Sequence, residues 1–164
     1  MYYLEVFSAL KQYNVKYLLV GGVAVVLHGV LRLTADLDLI VQLEKENLSK
    51  FVEAMKILGY TAKVPANPTD LANPEIREEW IKNKNMKVFS FINEKVPYKL
   101  IDIFVNEPIP FDEAYARRQI VKAKDVEISV ISFDDLISLK KMASRPQDLE
   151  DINMLEELKN DRKI

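Results

Sequence analysis

Short apolar runs alternate with amphipathic segments along this chain, and their order predicts a layered fold. The run Tyr17–Val20 is continuous and ends at a Gly-Gly pair, which is typical of a strand buried on both faces. Apolar residues at helical spacing predict helices on either side of it, over 2–13 and 23–27. A second apolar run then follows over 36–43. Strand, helix and strand in this order indicate an α/β arrangement.

The same pattern continues to the end of the chain. It predicts helices over 44–58, 75–82, 111–118, 133–143 and 147–160. It predicts strands over 86–92, 99–105 and 122–131, the last as an edge strand or hairpin. Residues 64–75 carry two Asn-Pro steps and predict a surface loop. We therefore expect a single α/β domain over 1–164, with a core of about 14–131 and a C-terminal helical part of about 132–160.

Composition narrows the possible classes of protein. With 49% hydrophobic and 29% charged residues, the chain is an ordinary globular sequence and not a disordered one. A net charge of -2 gives no overall attraction to polyanions, and the absence of Cys excludes disulfides and thiolate metal sites. The N-terminus lacks the features of a signal peptide and no apolar run has the length of a membrane span. We expect a cytoplasmic protein with no membrane contact.

Two aspartates one residue apart interrupt the apolar run 36–43. In a strand, Asp36 and Asp38 would project side by side, while Leu37 and Leu39 face the other way. Two parallel carboxylates repel each other, so a divalent cation between them would favour the arrangement. Mg²⁺ held by one or two carboxylates and substrate phosphates fits such a pair. The spacing therefore predicts a paired anionic site.

A third carboxylate, Asp102, lies in the apolar run 99–105. Burying an unpaired carboxylate there would be costly, so Asp102 needs a cation or a hydrogen-bond donor. If the two strands are neighbours, three carboxylates meet, which suits in-line phosphoryl or nucleotidyl transfer with two Mg²⁺ ions. On the residues alone, a simpler interpretation stays open: the aspartates cap turns or pair with surface Lys and Arg.

Residues around the carboxylates have both a functional and a structural interpretation. Gly21 and Gly22 could present backbone N–H groups to phosphates, or could simply form a tight turn. Arg32 and Thr34 could contact phosphate or fix the turn before the carboxylates. His28 lies on an apolar helix, where a packed, hydrogen-bonded role is more usual than a ligand role.

Together, GGVAVVLHGVLRLTADLDLIV and KLIDIFV resemble the nucleotidyltransferase superfamily of the DNA-polymerase-β type. Its signature is a Gly-Gly or Gly-Ser turn into a helix, an Asp-x-Asp on the next strand and a third Asp further on. The stretch DDLISLKKMASRPQDLEDINML resembles the end of small bacterial and archaeal members, including abortive-infection and type IV toxin components. The resemblance covers roughly 14–43 and 97–156. Gly-Gly stands where many relatives have Gly-Ser, which removes a hydroxyl that could contact phosphate.

The resemblance implies a nucleotidyltransferase fold, a mixed central sheet flanked by helices with further C-terminal helices. It implies that three carboxylates are catalytic and bind Mg²⁺ or Mn²⁺: Asp36, Asp38 and Asp102. With the residues before the carboxylates included, the predicted nucleotide-binding set is Gly21, Gly22, Arg32, Thr34 and Lys140. Arg145 and Asp148 match the residues that follow the late lysine in this group.

The predicted function is Mg²⁺-dependent transfer of a nucleoside monophosphate from an NTP, such as ATP, to an acceptor hydroxyl. The acceptor could be tRNA, a protein or a small molecule. A second hypothesis is a catalytically idle nucleotidyltransferase-like module that serves as a toxin-antitoxin or partner-binding subunit, with an antitoxin-like protein as partner. A third is a metal-dependent phosphohydrolase in which water replaces the acceptor hydroxyl.

Overall fold

One mixed β-sheet runs through the protein in a computed structural model, which describes residues 3–162. Its strands are β1 (Tyr17–Val20), β2 (Leu37–Val41), β3 (Tyr60–Ala62), β4 (Val88–Asn93), β5 (Leu100–Phe104), β6 (Gln119–Ala123) and β7 (Val126–Val130). The helices are α1 (Leu4–Gln12), α2 (Gly21–Leu27), α3 (Lys45–Ile57), α4 (Pro74–Lys84), α5 (Phe111–Ala116), α6 (Phe133–Ala143) and α7 (Pro146–Arg162). A short 3-10 helix, Pro68–Ala72, precedes α4.

The strands lie in the order β3-β4-β5-β2-β1-β7-β6. β2 is antiparallel to β1 and parallel to β5, and β1 is parallel to β7, while the other neighbouring pairs are antiparallel. The predicted α/β class and mixed central sheet are therefore confirmed. β2 and β5, which carry Asp38 and Asp102, are interior strands with a partner on each side.

Apolar side chains of the central strands and of the helices form one core. All four residues of β1 are buried, as its unbroken apolar run predicts. Phe51 of α3 packs edge-on against Phe91 of β4, with 5.7 Å between ring centroids, and Trp80 of α4 packs on Phe89. None of the helices within residues 3–162 combines the length and the hydropathy of a membrane-crossing helix.

Most of the predicted elements are present, with shifted ends. The helix predicted over 2–13 is α1, although Tyr2 lies outside the described residues, as do residues 1, 163 and 164 of the predicted domain. α2 begins at Gly21, earlier than predicted. The segment 122–131, predicted as an edge strand or hairpin, belongs to the hairpin of β6 and β7, and β6 begins at Gln119.

Two elements were not predicted. β3 has three residues, too few to show a periodicity, and exists because Thr61 pairs with Ile92 of β4. The predicted loop 64–75 contains the 3-10 helix, which starts because the Asn67 side chain accepts a hydrogen bond from the Thr69 N–H and Pro68 occupies the first turn.

Candidate active site

Asp38 and Asp102 lie side by side in the centre of the sheet. β2 and β5 are parallel and in register, with Asp38 aligned with Asp102. Aligned residues of neighbouring strands project to the same face, so both carboxylates share one side of the sheet. Leu37 and Ile101, which precede them, are fully buried on the other side. The condition that the two strands be neighbours is therefore met.

Asp38 is in an unfavourable place for a negative charge. Burial, then repulsion by Asp102 and by Asp36, raises the pKa of Asp38 from 3.8 to about 7, while the positive charges of Lys140 and Arg145 act in the opposite direction. Asp36 lies in the segment immediately before β2, one position outside the strand in which it was predicted. The site carries excess negative charge that a cation would neutralise.

The three carboxylates do not form a ready-made metal cage. In the part of the chain that the structure describes, no three acidic or histidine side chains converge closely enough to hold an ion as they stand. Mg²⁺, however, is usually held by one or two carboxylates that substrate phosphates and water complete. Asp38 and Asp102 fit that donor set, and a joint metal site that includes Asp36 stays a prediction.

The glycine turn lies directly against these carboxylates. Gly21 has φ +69°, and a Cβ atom there would lie 2.1 Å from Oδ2 of Asp38. A Cβ atom on Gly22 would lie 2.5 Å from Oγ1 of Thr34. The absence of side chains on Gly21 and Gly22 therefore allows Asp38 and Thr34 to approach the backbone of the turn. A contact of either glycine with phosphate stays a prediction.

A serine orients one carboxylate. Ser90 of β4 is aligned with Asp102, and its hydroxyl donates a 2.6 Å hydrogen bond to Asp102 Oδ1. Ser90 was not predicted from the sequence, although it is the polar position in the alternating run Phe89-Ser90-Phe91, on the face that Asp102 shares. The hydrogen bond fixes one carboxylate oxygen and leaves Oδ2 for another partner.

Tyr3 joins the two segments that lead into the carboxylates. Its hydroxyl lies 2.6 Å from the carbonyl oxygen of Ala35, the residue before Asp36, and 3.2 Å from that of Leu100 in β5. Burial raises the pKa of Tyr3 to about 12, so the phenol keeps the proton that it donates. From the sequence, Tyr3 was expected only as one of the apolar positions of the first helix.

A set of buried ion pairs connects the C-terminal helices to the segment before β2. We call Arg32, Lys140, Arg145, Asp148 and Asp151 the C-terminal charge network. Lys140 Nζ lies 2.8 Å from Asp151 Oδ2 and 3.2 Å from Asp148 Oδ1, and Arg32 Nη1 lies 2.6 Å from Asp151 Oδ2. Both aspartates are at most 1% exposed.

The network engages two of the predicted nucleotide-binding residues. Arg32 and Lys140 already have carboxylate partners at hydrogen-bonding distance, so a phosphate would have to share their donors with Asp151. Thr34 is exposed and lies beside Gly22. Nucleotide contacts of these three residues stay predictions.

Arg145 is the accessible cation of the network. Its Nε donates a 2.8 Å hydrogen bond to Asp148 Oδ2, yet its side chain is 75% exposed, and its charge acts on Asp38. The hydrogen bond to Asp148 raises the pKa of Arg145, so the guanidinium stays charged. In the sequence, Arg145 could not be distinguished from an ordinary ion pair at a helix start.

His28 has a structural role. It is 3% exposed, its Nε2 lies 2.8 Å from the carbonyl oxygen of Ile131, and its ring meets Phe133 edge-on. A carbonyl can only accept, so Nε2 carries the proton. Burial lowers the pKa of His28 and favours the neutral form. The structural interpretation of this residue agrees with its surroundings.

Carboxylates on two adjacent central strands, beside a glycine turn into a helix, define a protein of the nucleotidyltransferase class. The family model described as "Nucleotidyltransferase of unknown function (DUF6036)" matches residues 3–160, and the chain belongs to this family. No curated protein sequence matches it.

Solved structures of antibiotic nucleotidyltransferases share the fold. The lincosamide antibiotic adenylyltransferase LnuA, in a lincomycin-bound crystal structure, superposes with a TM-score of 0.61 at 19% identity over 93% of each chain. ANT(2")-Ia, in complex with adenylyl-2"-tobramycin, gives a TM-score of 0.59 at 14% identity over 94% of this chain and 89% of that one. An antigenic nucleotidyltransferase-like protein from Paracoccidioides brasiliensis gives 0.56 at 13% identity, over 92% and 71%. At these identities the likeness shows the fold.

Proposed function

We propose that this protein transfers a nucleoside monophosphate from an NTP to an acceptor hydroxyl, with the reaction centred on Asp38 and Asp102. The observation that carries the proposal is the aligned carboxylate pair, in which Asp38 has a pKa of about 7 because burial and neighbouring negative charge oppose its ionisation. A site that concentrates negative charge in this way is suited to a divalent cation and the phosphates it brings.

Mg²⁺ or Mn²⁺ would be held by Asp38 and Asp102, with Asp36, whose charge also acts on Asp38, as a further carboxylate. The ion would neutralise charge on the transferred phosphoryl group and acidify the acceptor hydroxyl. The acceptor oxygen forms a bond to the α-phosphorus of the NTP, and the bond from that phosphorus to the bridging oxygen breaks. Pyrophosphate leaves. The acceptor proton passes to Asp102, whose other oxygen is held by Ser90.

Arg145 is the residue best placed to hold the triphosphate. It is the exposed member of the C-terminal charge network, and its positive charge is felt at Asp38. Asp148 engages Nε and Nη2 and so orients the guanidinium plane. Arginine binds phosphate oxygens through parallel N–H groups, which favours this geometry.

A small-molecule hydroxyl is the acceptor that the comparisons favour. LnuA is described as an antibiotic adenylyltransferase bound to lincomycin, and ANT(2")-Ia is described with an adenylylated tobramycin. For this protein we propose only the acceptor class, a small molecule with a hydroxyl group, and neither of the two antibiotics.

Two measurements on the purified protein test the proposal. Calorimetry with each NTP, with and without Mg²⁺ or Mn²⁺, is expected to show metal-dependent binding that Asp38→Asn weakens at least tenfold. In the second measurement, NTP labelled at the α-phosphate is incubated with one acceptor class at a time: a mixture of small hydroxylated molecules, tRNA, or protein. The wild type is expected to label an acceptor of one class and to release pyrophosphate. Asp38→Asn and Asp102→Asn are expected to lose the label.

Asp125→Asn is the matched control, because Asp125 is exposed in the β6–β7 turn. The substitution removes the same charge at a position far from the site. If the wild type binds no NTP with either metal, or if Asp38→Asn labels as well as the wild type, the proposal is wrong. Pyrophosphate release that depends on water alone, with no labelled acceptor, would indicate the phosphohydrolase instead.

A partner-binding module is the second candidate function. The observation in its favour is that Leu31 and Leu33, in the loop before β2, are 94% and 97% exposed. Large apolar side chains exposed in this way are common where another molecule binds. Tight association with a protein, in the absence of NTP binding, would favour this candidate over the enzyme. An antitoxin-like partner protein is expected only if the protein is such a module.

A further inference from the structure

Arg77 of α4 is a buried cation that the proposed reaction does not use. It is 8% exposed, and its Nη1 donates a 2.5 Å hydrogen bond to the carbonyl oxygen of Leu71 in the 3-10 helix. None of the ion pairs formed within residues 3–162 includes Arg77. Arginine is rarely buried without an anionic partner, since a desolvated charge is costly unless it is paired.

Arg77 also lines a cavity of about 320 Å³. One face of α4, formed by positions 74, 77, 78, 81 and 82, contributes most of the lining, and Leu43 and Val105 complete it. Glu78 and Lys82 form an ion pair at 3.1 Å, and both side chains are mostly exposed. These two charges of the lining therefore neutralise each other. The buried guanidinium is the group without a counter-charge in this lining.

The cavity is separate from the carboxylate site. Leu43 lies five residues after Asp38, and Val105 three residues after Asp102, beyond the ends of the parallel strands β2 and β5. At about 3.3 Å per residue, the parts of these separations that lie within the strands, from Asp38 to Val41 and from Asp102 to Phe104, span roughly 10 Å and 7 Å. A ligand in the cavity would therefore not occupy the space between the two carboxylates.

We propose that this cavity binds a small oxyanion, a carboxylate or phosphate group on a molecule with a short apolar part, through Arg77. A guanidinium carries five donors, and the hydrogen bond to Leu71 uses one of them. The remaining edge suits the two oxygens of a planar or tetrahedral oxyanion. Leu43, Ile81 and Val105 supply apolar contact for the rest of the ligand. The volume is at the lower end of that of small-molecule sites.

Burial lowers the pKa of Arg77, which is the direction expected for a cation that lacks a compensating negative charge. A bound oxyanion would supply that charge. Ligands that bind only the folded state raise its stability, so the anion is expected to stabilise the protein.

Titration of the isotope-labelled wild type with sodium butyrate, and separately with inorganic phosphate, tests the proposal against sodium chloride at equal ionic strength. The expected result is that at least one oxyanion shifts the amide resonances of Leu43, Ile81 and Val105 in a saturable manner and raises the melting temperature. A response to butyrate alone identifies a carboxylate ligand, to phosphate alone a phosphate ligand, and to both the shared oxyanion chemistry.

Arg77→Met removes the guanidinium at similar length and is expected to abolish the response. Arg118→Met is the matched control, because it removes the same charge from an arginine that stacks on Tyr115 and does not line the cavity. An equal response in Arg77→Met and the wild type would overturn the proposal. The proposal would also be overturned if neither anion, at millimolar concentration, shifted the amide resonances of Leu43, Ile81 and Val105 in the wild type. That result does not depend on whether a variant folds.

Discussion

At the scale of single residues, Asp38 shows how the site opposes the stability of the fold. Its carboxylate is next to Asp102 on the neighbouring strand, is affected by Asp36, and is largely removed from water. Each of these factors disfavours the charged form. A fold selected for stability alone would replace Asp38 with a neutral residue, so packing does not explain the arrangement and the proposed function does.

Replacing Asp38 with Asn is expected to stabilise the metal-free protein at about pH 8 by an amount of order 2 kcal/mol. The folded-state pKa of about 7 lies above the ordinary value of 3.8, so the destabilisation is absent below about pH 4 and complete above about pH 7. Urea unfolding at several pH values measures the difference, which should shrink as the pH falls.

Glu79→Gln is the control for that experiment, because Glu79 is exposed on α4 and its loss changes net charge equally. Its effect on the free energy of unfolding should be small. Equal stability of Asp38→Asn and the wild type at about pH 8 would contradict the pKa on which the argument depends.

Ser90 affords a second prediction at this scale. Ser90→Ala removes the 2.6 Å hydrogen bond to Asp102 and is expected to lower kcat about 10- to 100-fold with little change in the KM for NTP, since a hydrogen bond to a charged group is worth about 1.5–3 kcal/mol. Ser90→Thr keeps the hydroxyl and should retain most of the activity. Equal losses in both variants would show that the hydroxyl does not orient Asp102.

At the scale of elements, the C-terminal charge network holds α6 and α7 together. Lys140 lies on α6, while Asp148 and Asp151 lie on consecutive turns of α7. Two buried carboxylates on one helix are tolerable because Lys140, Arg32 and Arg145 supply opposite charge and donors. The docking of α7 therefore depends on charge pairs as well as on apolar contact.

Lys140→Met is expected to destabilise the protein by about 3–5 kcal/mol, because it leaves Asp148 and Asp151 buried with fewer partners. The adjacent Lys141→Met is the matched control, since Lys141 is 62% exposed and pairs with Glu156 at 3.7 Å, which is worth about 0–1 kcal/mol. Chemical unfolding of both variants measures the difference. Similar losses would mean that Lys140 contributes chiefly through its alkyl chain.

The sequence predicted those elements and contacts that depend on neighbouring positions. The Asp-x-Asp spacing and the apolar run around Asp102 were sufficient to assign the carboxylates to two strands, whereas the pairing of those strands is seen only in the fold. β3 was missed because it is defined by its pairing with β4 and not by its own pattern. The contact of Arg32 with Asp151 joins residues 119 positions apart, and no local pattern in the chain indicates it.

At the scale of the whole molecule, buried His28 and partly buried Asp38 act oppositely on stability as pH changes. Burial lowers the pKa of His28 below its ordinary 6.5, so the unfolded chain binds a proton there that the folded chain does not. Stability due to His28 is therefore lost as the pH falls below about 6.5. Over a similar range, protonation of Asp38 makes the fold more stable.

Separating these two effects gives a further prediction. In an Asp38→Asn background, the free energy of unfolding is expected to fall as the pH is lowered from about 7 to about 5. Adding His28→Gln, which keeps an N–H donor for the Ile131 carbonyl, should reduce the slope of this pH dependence. Chemical unfolding at stepwise pH values measures the slope in each variant. The same slope with and without His28 would contradict the prediction, because this is the one histidine in the sequence.

The contact between Gly21 and Asp38 limits which sequences can encode this protein. If all twenty amino acids are introduced at position 21 and folded variants are selected, only glycine should be recovered, because any Cβ atom would overlap the carboxylate oxygen at 2.1 Å. Gly59 also has a positive φ, +84°, but a Cβ atom there would meet nothing within 4 Å, so asparagine and aspartate should survive the same selection. Over evolutionary time, position 21 is therefore expected to stay invariant even in descendants that have lost catalysis, for as long as they keep the aspartate beside it.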